Sequence, residues 1–63
     1  MATVSTPDWI VEIPSGTTIE DAVRSAGHVP DAFIFLIGGR PVPMDTVPPE
    51  ESEVRALRVA SGG

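Results

Sequence analysis

The residues best suited to take part in a reaction follow an apolar, strand-like run that ends at Val59. They are Gly62 and Gly63, and neither carries a Cβ atom. A Gly-Gly pair passes through a channel too narrow for other residues, and an enzyme could bring a carboxylate on Gly63 against a nucleotide phosphate. We therefore predict a domain over residues 1–59 and a flexible tail over residues 60–63. The alternative is that the glycines are incidental, since chain ends are often disordered and tolerate glycine.

Few other side chains are suited to catalysis. The sequence has no cysteine, and the single His28 cannot build a metal site alone. The acid pairs Glu20-Asp21 and Glu50-Glu51 are interpreted as charges at a helix start and in a loop. Gly38-Gly39-Arg40 has no lysine for a phosphate loop and is interpreted as a turn. We predict that the chain is not an enzyme and binds no metal or cofactor itself.

The charged residues limit which partners the chain is expected to bind. Nine acidic residues against four basic ones give a net charge of −5, which argues against binding to nucleic acid. All four basic residues are arginine, so the chain could donate an acyl group to a lysine but has no lysine to accept one. The sequence contains no apolar run of about 18 residues and no secretion signal. We expect one small domain, no membrane association and a cytoplasmic location.

One helix is predicted over residues 18–26. Thr17 and Glu20 have the spacing of a capping box, Glu20 and Arg24 that of a helical ion pair, and Gly27 suits the left-handed residue that ends a helix. The apolar stripe of this helix consists of Ile19, Ala22, Val23 and Ala26.

Strands are predicted around this helix. Gly38-Gly39 suits a tight hairpin, and Pro41 and Pro43 would lose donors on one side of the returning strand, which makes it an edge that resists pairing. We expect a mixed sheet covered by the helix on one face, and a monomer. The predicted strands are residues 1–6, 9–13, 32–37, 40–43 and 53–59, with a loop over 28–31 and an irregular connection over 44–52.

The uncovered face of this sheet is predicted to carry a partner-binding patch. Alternation directs Phe33, Phe35, Ile37, Val54 and Ala56 toward the helix. The residues predicted for the patch are Ile34, Leu36, Leu57 and Val59, with Arg58 beside them. A register shift of one residue would exchange the two faces, and isolated exposed apolar residues are ordinary.

Four stretches, residues 11–13, 16–23, 38–43 and 53–63, together resemble the ubiquitin-like β-grasp family. Within it the sequence is similar to small archaeal modifier proteins, the small subunit of molybdopterin synthase and the thiamine-pathway sulfur carrier. The carriers usually have Asn-Gly where this chain has Gly38-Gly39, and a Gly-Asp turn where it has Glu51-Ser52-Glu53. The second departure disfavours the molybdopterin and thiamine branches.

The resemblance implies an α+β fold with strand order 2-1-5-3-4 and one main helix on one face. It implies that an E1-like adenylyltransferase, using its own ATP, adenylates Gly63 and contacts Leu36, Leu57 and Val59. The activated carboxyl group would then be joined to lysines of target proteins. Alternatively it would become a thiocarboxylate, making the chain a sulfur carrier for a sulfur-accepting synthase or for tRNA thiolation. A third reading is a plain β-grasp interaction module.

Overall fold

The computed structural model describes residues 1–59, which form a five-stranded mixed sheet and one α-helix. The sheet order is β2-β1-β5-β3-β4, with β1 and β5 parallel and the other neighbours antiparallel. This is an α+β fold of the β-grasp type, and the predicted strand order is confirmed. The elements are β1 (Ala2–Ser5), β2 (Ile10–Ile13), α1 (Ile19–Ser25), a 3-10 turn (Pro30–Ala32), β3 (Phe33–Ile37), β4 (Arg40–Val42) and β5 (Glu53–Arg58).

The core lies between α1 and one face of the sheet. Phe35 of β3 and Val54 of β5 are buried, whereas Ile34 and Leu57 on the same two strands are exposed. The predicted assignment of the two faces is therefore confirmed for β3 and β5. The buried core consists of Ala2, Val4, Ile13, Ile19, Ala22, Val23, Phe35, Val54 and Ala56.

The start of α1 lies one residue later than the capping box predicts. Thr18 is the N-cap, and its Oγ1 accepts a hydrogen bond from the backbone N–H of Asp21 at 3.2 Å. The assignment of the cap to Thr17 is wrong, because the backbone at Thr18 is still extended and the helix begins at Ile19.

The first turn of α1 is also capped by a distant loop. The N–H of Ile19 donates to the carbonyl of Thr46 at 3.0 Å, and the N–H of Glu20 donates to that of Met44 at 2.8 Å. Each of these N–H groups lacks an acceptor within the helix, so the loop supplies partners that the local sequence does not. The connection after β4 thereby sets the position of α1.

The end of α1 is closed by Gly27, as predicted. Its φ is +90°, its N–H donates to Arg24, and the N–H of His28 donates to Val23, which is the Schellman arrangement. Ala26 is exposed at the C-cap and does not belong to the apolar stripe.

Two further local predictions are corrected. Arg24 forms its ion pair with Asp21, at 3.5 Å, rather than with Glu20. The predicted loop around Pro30 contains a short 3-10 turn, Pro30–Ala32. In the described part of the chain no helix has the length and apolarity needed to cross a membrane.

Candidate functional site

The candidate site is built on the end of β5, the central strand of the sheet. β5 pairs with β1 on one side and with β3 on the other, and Arg58 at its end lies opposite Phe33. The N–H of the next residue, Val59, donates to the carbonyl of Ala32 at 3.0 Å. The backbone is therefore held by hydrogen bonds up to the residue that precedes residues 60–63.

The two glycines with the predicted chemistry lie beyond this point. Gly62 and Gly63 fall outside the described residues, and so does the predicted tail over residues 60–63. The activation chemistry assigned to Gly63 stays a prediction.

Three of the predicted patch residues lie together on the open face of the sheet. Ile34 and Leu57 are direct cross-strand partners, and their side chains are 44% and 47% exposed. Leu36 is two residues along β3 from Ile34 and is half-buried. We call Ile34, Leu36 and Leu57 the open-face patch.

The edge of the open-face patch is polar. The residue opposite Leu36 on β5 is Arg55, and the residue opposite Arg55 on β1 is Ser5. Ser5 in turn lies opposite Ile10, which is 71% exposed. Ile10 is thus an apolar residue of the same face that is separated from the patch by a serine and an arginine. Its position follows from the alternation of β2, but the sequence analysis did not include it in the site.

The remaining two predicted residues are placed differently. Arg58 is in phase with the buried Val54 and Ala56, so it belongs to the helix side of the sheet and not to the open face. The period of two along β5 already indicates this facing from the sequence. Val59 follows the last residue of β5 and is half-buried. Membership of either residue in a partner-binding surface is untested.

Arg58 lines a cleft of about 630 Å³ at the end of the sheet. The rings of Trp9 and His28 stack in this cleft, with centroids 4.2 Å apart and planes within 9°, and the ring of Phe33 meets Trp9 edge-on at 5.5 Å. This aromatic cluster covers the end of the core between β2, β3 and the residues that follow α1. Offset or edge-on contacts of this kind stabilise a fold beyond the area they bury.

The charged groups with shifted pKa values lie at the start of β5, away from this cleft. The hydroxyl of Ser15 donates to Glu50 at 2.7 Å, and the amino group of Met1 lies 3.3 Å from the same carboxylate. The Ser15 hydrogen bond, followed by the Met1 ammonium, lowers the pKa of Glu50. Hydrogen bonds to Glu50 and then Glu51 raise the pKa of the Met1 amino group.

Two kinds of feature are relevant to chemistry among the described residues: groups of metal-ligating side chains and buried polar side chains. Over residues 1–59 no group of three or more histidine, cysteine, aspartate or glutamate side chains is placed to bind a metal ion. No polar or charged side chain in this range is buried. The arrangement supplies an apolar surface on the open face and a strand end at Arg58.

Neither the comparison with protein-family models nor the comparison with curated proteins gave a match.

Proposed function

We propose that this chain is a ubiquitin-like protein modifier whose Gly63 carboxylate is adenylated by an E1-like enzyme and then joined to lysines of target proteins. The observation that supports this most directly is the place of Gly62-Gly63 in the sequence relative to β5. The pair comes four residues after the central strand of a β-grasp sheet ends at Arg58. A body of this kind, with a central strand that ends a few residues before two glycines, suits the presentation of a carboxylate to another protein.

The chemistry proposed for Gly63 needs no catalytic group from this chain. A carboxylate oxygen of Gly63 attacks the α-phosphorus of ATP in the partner enzyme, and pyrophosphate leaves. A lysine amine of the target then attacks the acyl carbon, either directly or after transfer to an enzyme thiol, and an amide forms. AMP leaves in the step that consumes the adenylate. This chain contributes the acyl group, and its glycines admit it to a narrow channel.

The length of the segment after β5 fits this role. Val59 is held to Ala32, so the residue that precedes residues 60–63 is a fixed point. Four residues in an extended conformation span about 13 Å. That distance lets the activating enzyme bind the body of the domain at one place and carry out acyl transfer at another.

The open-face patch is proposed as the surface that binds the activating enzyme. It is apolar, formed by adjacent strands, and includes Leu57 on the strand that leads to the glycines. Because central apolar contacts dominate binding at protein interfaces, Leu57→Ala should weaken binding to the activating enzyme by roughly tenfold. Val47→Ala is a matched control, since Val47 is 50% exposed but lies in the loop after β4.

These two variants are compared by titrating each into the activating enzyme and by thermal unfolding. We expect Val47→Ala to bind as the unmodified protein does, and both variants to remain folded. Equal affinity of Leu57→Ala and Val47→Ala would remove the open-face patch from the proposal, whether or not Gly63 is activated.

The test of the whole proposal is mass spectrometry of the protein and its products in the cells that make it. Intact mass determines whether Gly63 carries a free carboxylate. Trypsin cuts after Arg58, so conjugation should leave the five residues from Val59 to Gly63 on target lysines. A chain that lacks Gly63 should remain folded and form no conjugates. Conjugation by that shortened chain would contradict the role of Gly63.

The same measurement distinguishes the alternative functions. A free chain whose mass shows sulfur in place of one carboxylate oxygen, with no remnant on any lysine, would assign sulfur transfer instead. Finding neither a remnant nor a thiocarboxylate would leave a plain β-grasp interaction module.

A further inference from the structure

The two edges of the sheet differ in their capacity to pair with another strand. At the β4 edge, Arg40 pairs with Ile37 across the hairpin, and its backbone N–H and C=O point toward β3. Backbone groups alternate in direction along a strand, so those of Pro41 point away from β3, and so do those of Pro43 two residues later. Neither proline has an N–H to donate. At the β2 edge, Ile10–Ile13 contains no proline. The prolines blunt the β4 edge, on which the expectation of a monomer rested, and the β2 edge is open to hydrogen bonding.

Two hydrogen bonds determine which groups of β2 face outward. The N–H of Thr3 donates to Ser52, so the backbone of Thr3 faces β5 and not β2. Glu12 is the partner of Thr3 in the register, and its own N–H and C=O therefore point away from β1. The N–H of Thr6 donates to the carbonyl of Trp9, so the backbone of Trp9 points toward β1. Alternation from Trp9 again directs the backbone groups of Ile10 and Glu12 away from β1. Ile10 and Glu12 consequently present two donors and two acceptors at the edge.

We propose that this edge is an interface for a second copy of the chain, with the β2 strands antiparallel about a twofold axis at Val11. In this register Ile10 lies opposite Glu12 of the second copy, and each pair exchanges two N–H···O=C bonds. Each of the two outward N–H groups of one strand then meets an outward C=O group of the other strand. The interface joins two five-stranded sheets into one, and it rests on β2 alone, independently of the function proposed for Gly63.

The charges at this edge select that register. A twofold axis at Glu12 would place the two Glu12 side chains opposite each other, and an axis at Ile10 would place Glu12 opposite Asp8. Like charges directly opposite on adjacent strands are destabilising. The axis at Val11 instead places each Glu12 opposite an isoleucine and brings the two Val11 residues together.

The helix side of the edge has room for this contact. A groove of about 390 Å³ runs between β2 and α1. Its walls include Val11 from the strand and Ala22, Ser25 and Ala26 from the helix. Because these helix residues are small, Val11 of the second copy can approach the groove without displacing α1.

The net charge gives the interface a characteristic salt dependence. Each copy carries −5, so the two copies repel each other at low ionic strength, and salt screens this repulsion. Self-association should therefore strengthen as salt increases from about 0.02 to about 0.3 M. A basic extended peptide at the same edge would show the opposite trend, since salt would weaken its attraction to the acidic surface.

The experiment measures self-association by sedimentation equilibrium up to about 1 mM protein, at low and high salt. Glu12→Pro removes the outward N–H without touching a bond to β1, whereas the matched variant Glu12→Ala keeps that N–H and removes the charge. We expect the proline variant to raise the dimer dissociation constant by roughly tenfold or more, because two symmetry-related hydrogen bonds are lost. The alanine variant should dimerise at least as well as the unmodified chain.

A measurement on the unmodified chain makes the test independent of the variants. In a sample mixed from differently labelled copies, intermolecular NMR contacts should join the amide protons of Ile10 and Glu12. A chain that stays monomeric at about 1 mM, or a dimer that shows its contacts elsewhere, would overturn the proposal. Equal dimerisation of a folded Glu12→Pro variant, or a dimer that weakens with salt, would also overturn it.

Discussion

At the scale of single residues, Glu50 shows how the fold changes the chemistry of a side chain. The carboxylate accepts a hydrogen bond from Ser15, a residue 35 positions earlier in the sequence. Because the ionised carboxylate accepts this bond, the pKa of Glu50 is lowered. The ionised form therefore favours the folded state above the ordinary pKa of a glutamate. This contribution is lost as pH falls through the lowered pKa.

We predict that Ser15→Ala raises the pKa of Glu50 toward its ordinary value, because the variant removes the largest cause of the shift. The measurement is an NMR titration of the side-chain carboxyl carbons. Ser25→Ala, which removes an exposed hydroxyl from α1, should leave the Glu50 titration unchanged. An unaltered Glu50 titration in Ser15→Ala would show that the hydrogen bond is not populated in solution.

At the scale of elements, the start of α1 depends on its side-chain cap and on the loop after β4. Thr17 and Thr18 are adjacent and identical, and only Thr18 accepts a bond from the first turn. Replacement of a capping threonine by alanine costs about 1 kcal/mol of stability. Thr17 is half-buried and makes no capping bond, and substitution of a residue that has no such specific role usually changes stability by roughly 0.5 kcal/mol or less.

Thr18→Ala should therefore lower the free energy of unfolding by about 1 kcal/mol, and Thr17→Ala by less than about half of that. Urea denaturation of the two variants, followed by circular dichroism, measures both values. A larger loss of stability in Thr17→Ala than in Thr18→Ala would support the capping box at Thr17 that the sequence alone predicts.

At the scale of the whole molecule, the domain depends on a small core, which within residues 1–59 consists of nine buried residues. Phe35 is 2% exposed and is the largest of them, and it lies on the central part of the sheet beside β5. Removing a buried phenylalanine side chain costs about 3–5 kcal/mol, which is a large fraction of the total stability of a small domain.

We predict that Phe35→Ala loses about 3–5 kcal/mol of stability or fails to fold, since it leaves a cavity in the core. The adjacent variant Ile34→Ala should lose no more than about 1 kcal/mol, because Ile34 lies on the open face. Urea denaturation compares the two. Similar losses in both variants would mean that the open face is covered in solution.

Local sequence patterns were sufficient for much of the fold. The period of two in β3 and β5, the stripe at Ile19, Ala22 and Val23, and the glycines at the turns each depend on residues close together in the chain. Gly38 and Gly39 have φ values of +59° and +81°, as their place in a hairpin requires. The open-face patch follows from the same alternation, whereas the strand order 2-1-5-3-4 was implied by the resemblance.

Contacts between distant parts of the chain decided the rest. The cap of α1 uses carbonyl groups of Thr46 and Met44, and no local pattern around Thr17 contains them. The register of β5 against β3 places Arg58 opposite Phe33 and Leu57 opposite Ile34, and no local pattern pairs these residues. The sequence by itself determined the type and facing of most elements, because those depend on local periodicity. Only the tertiary structure decided which groups are hydrogen-bond partners or cross-strand neighbours, because these contacts join residues that are far apart in the chain.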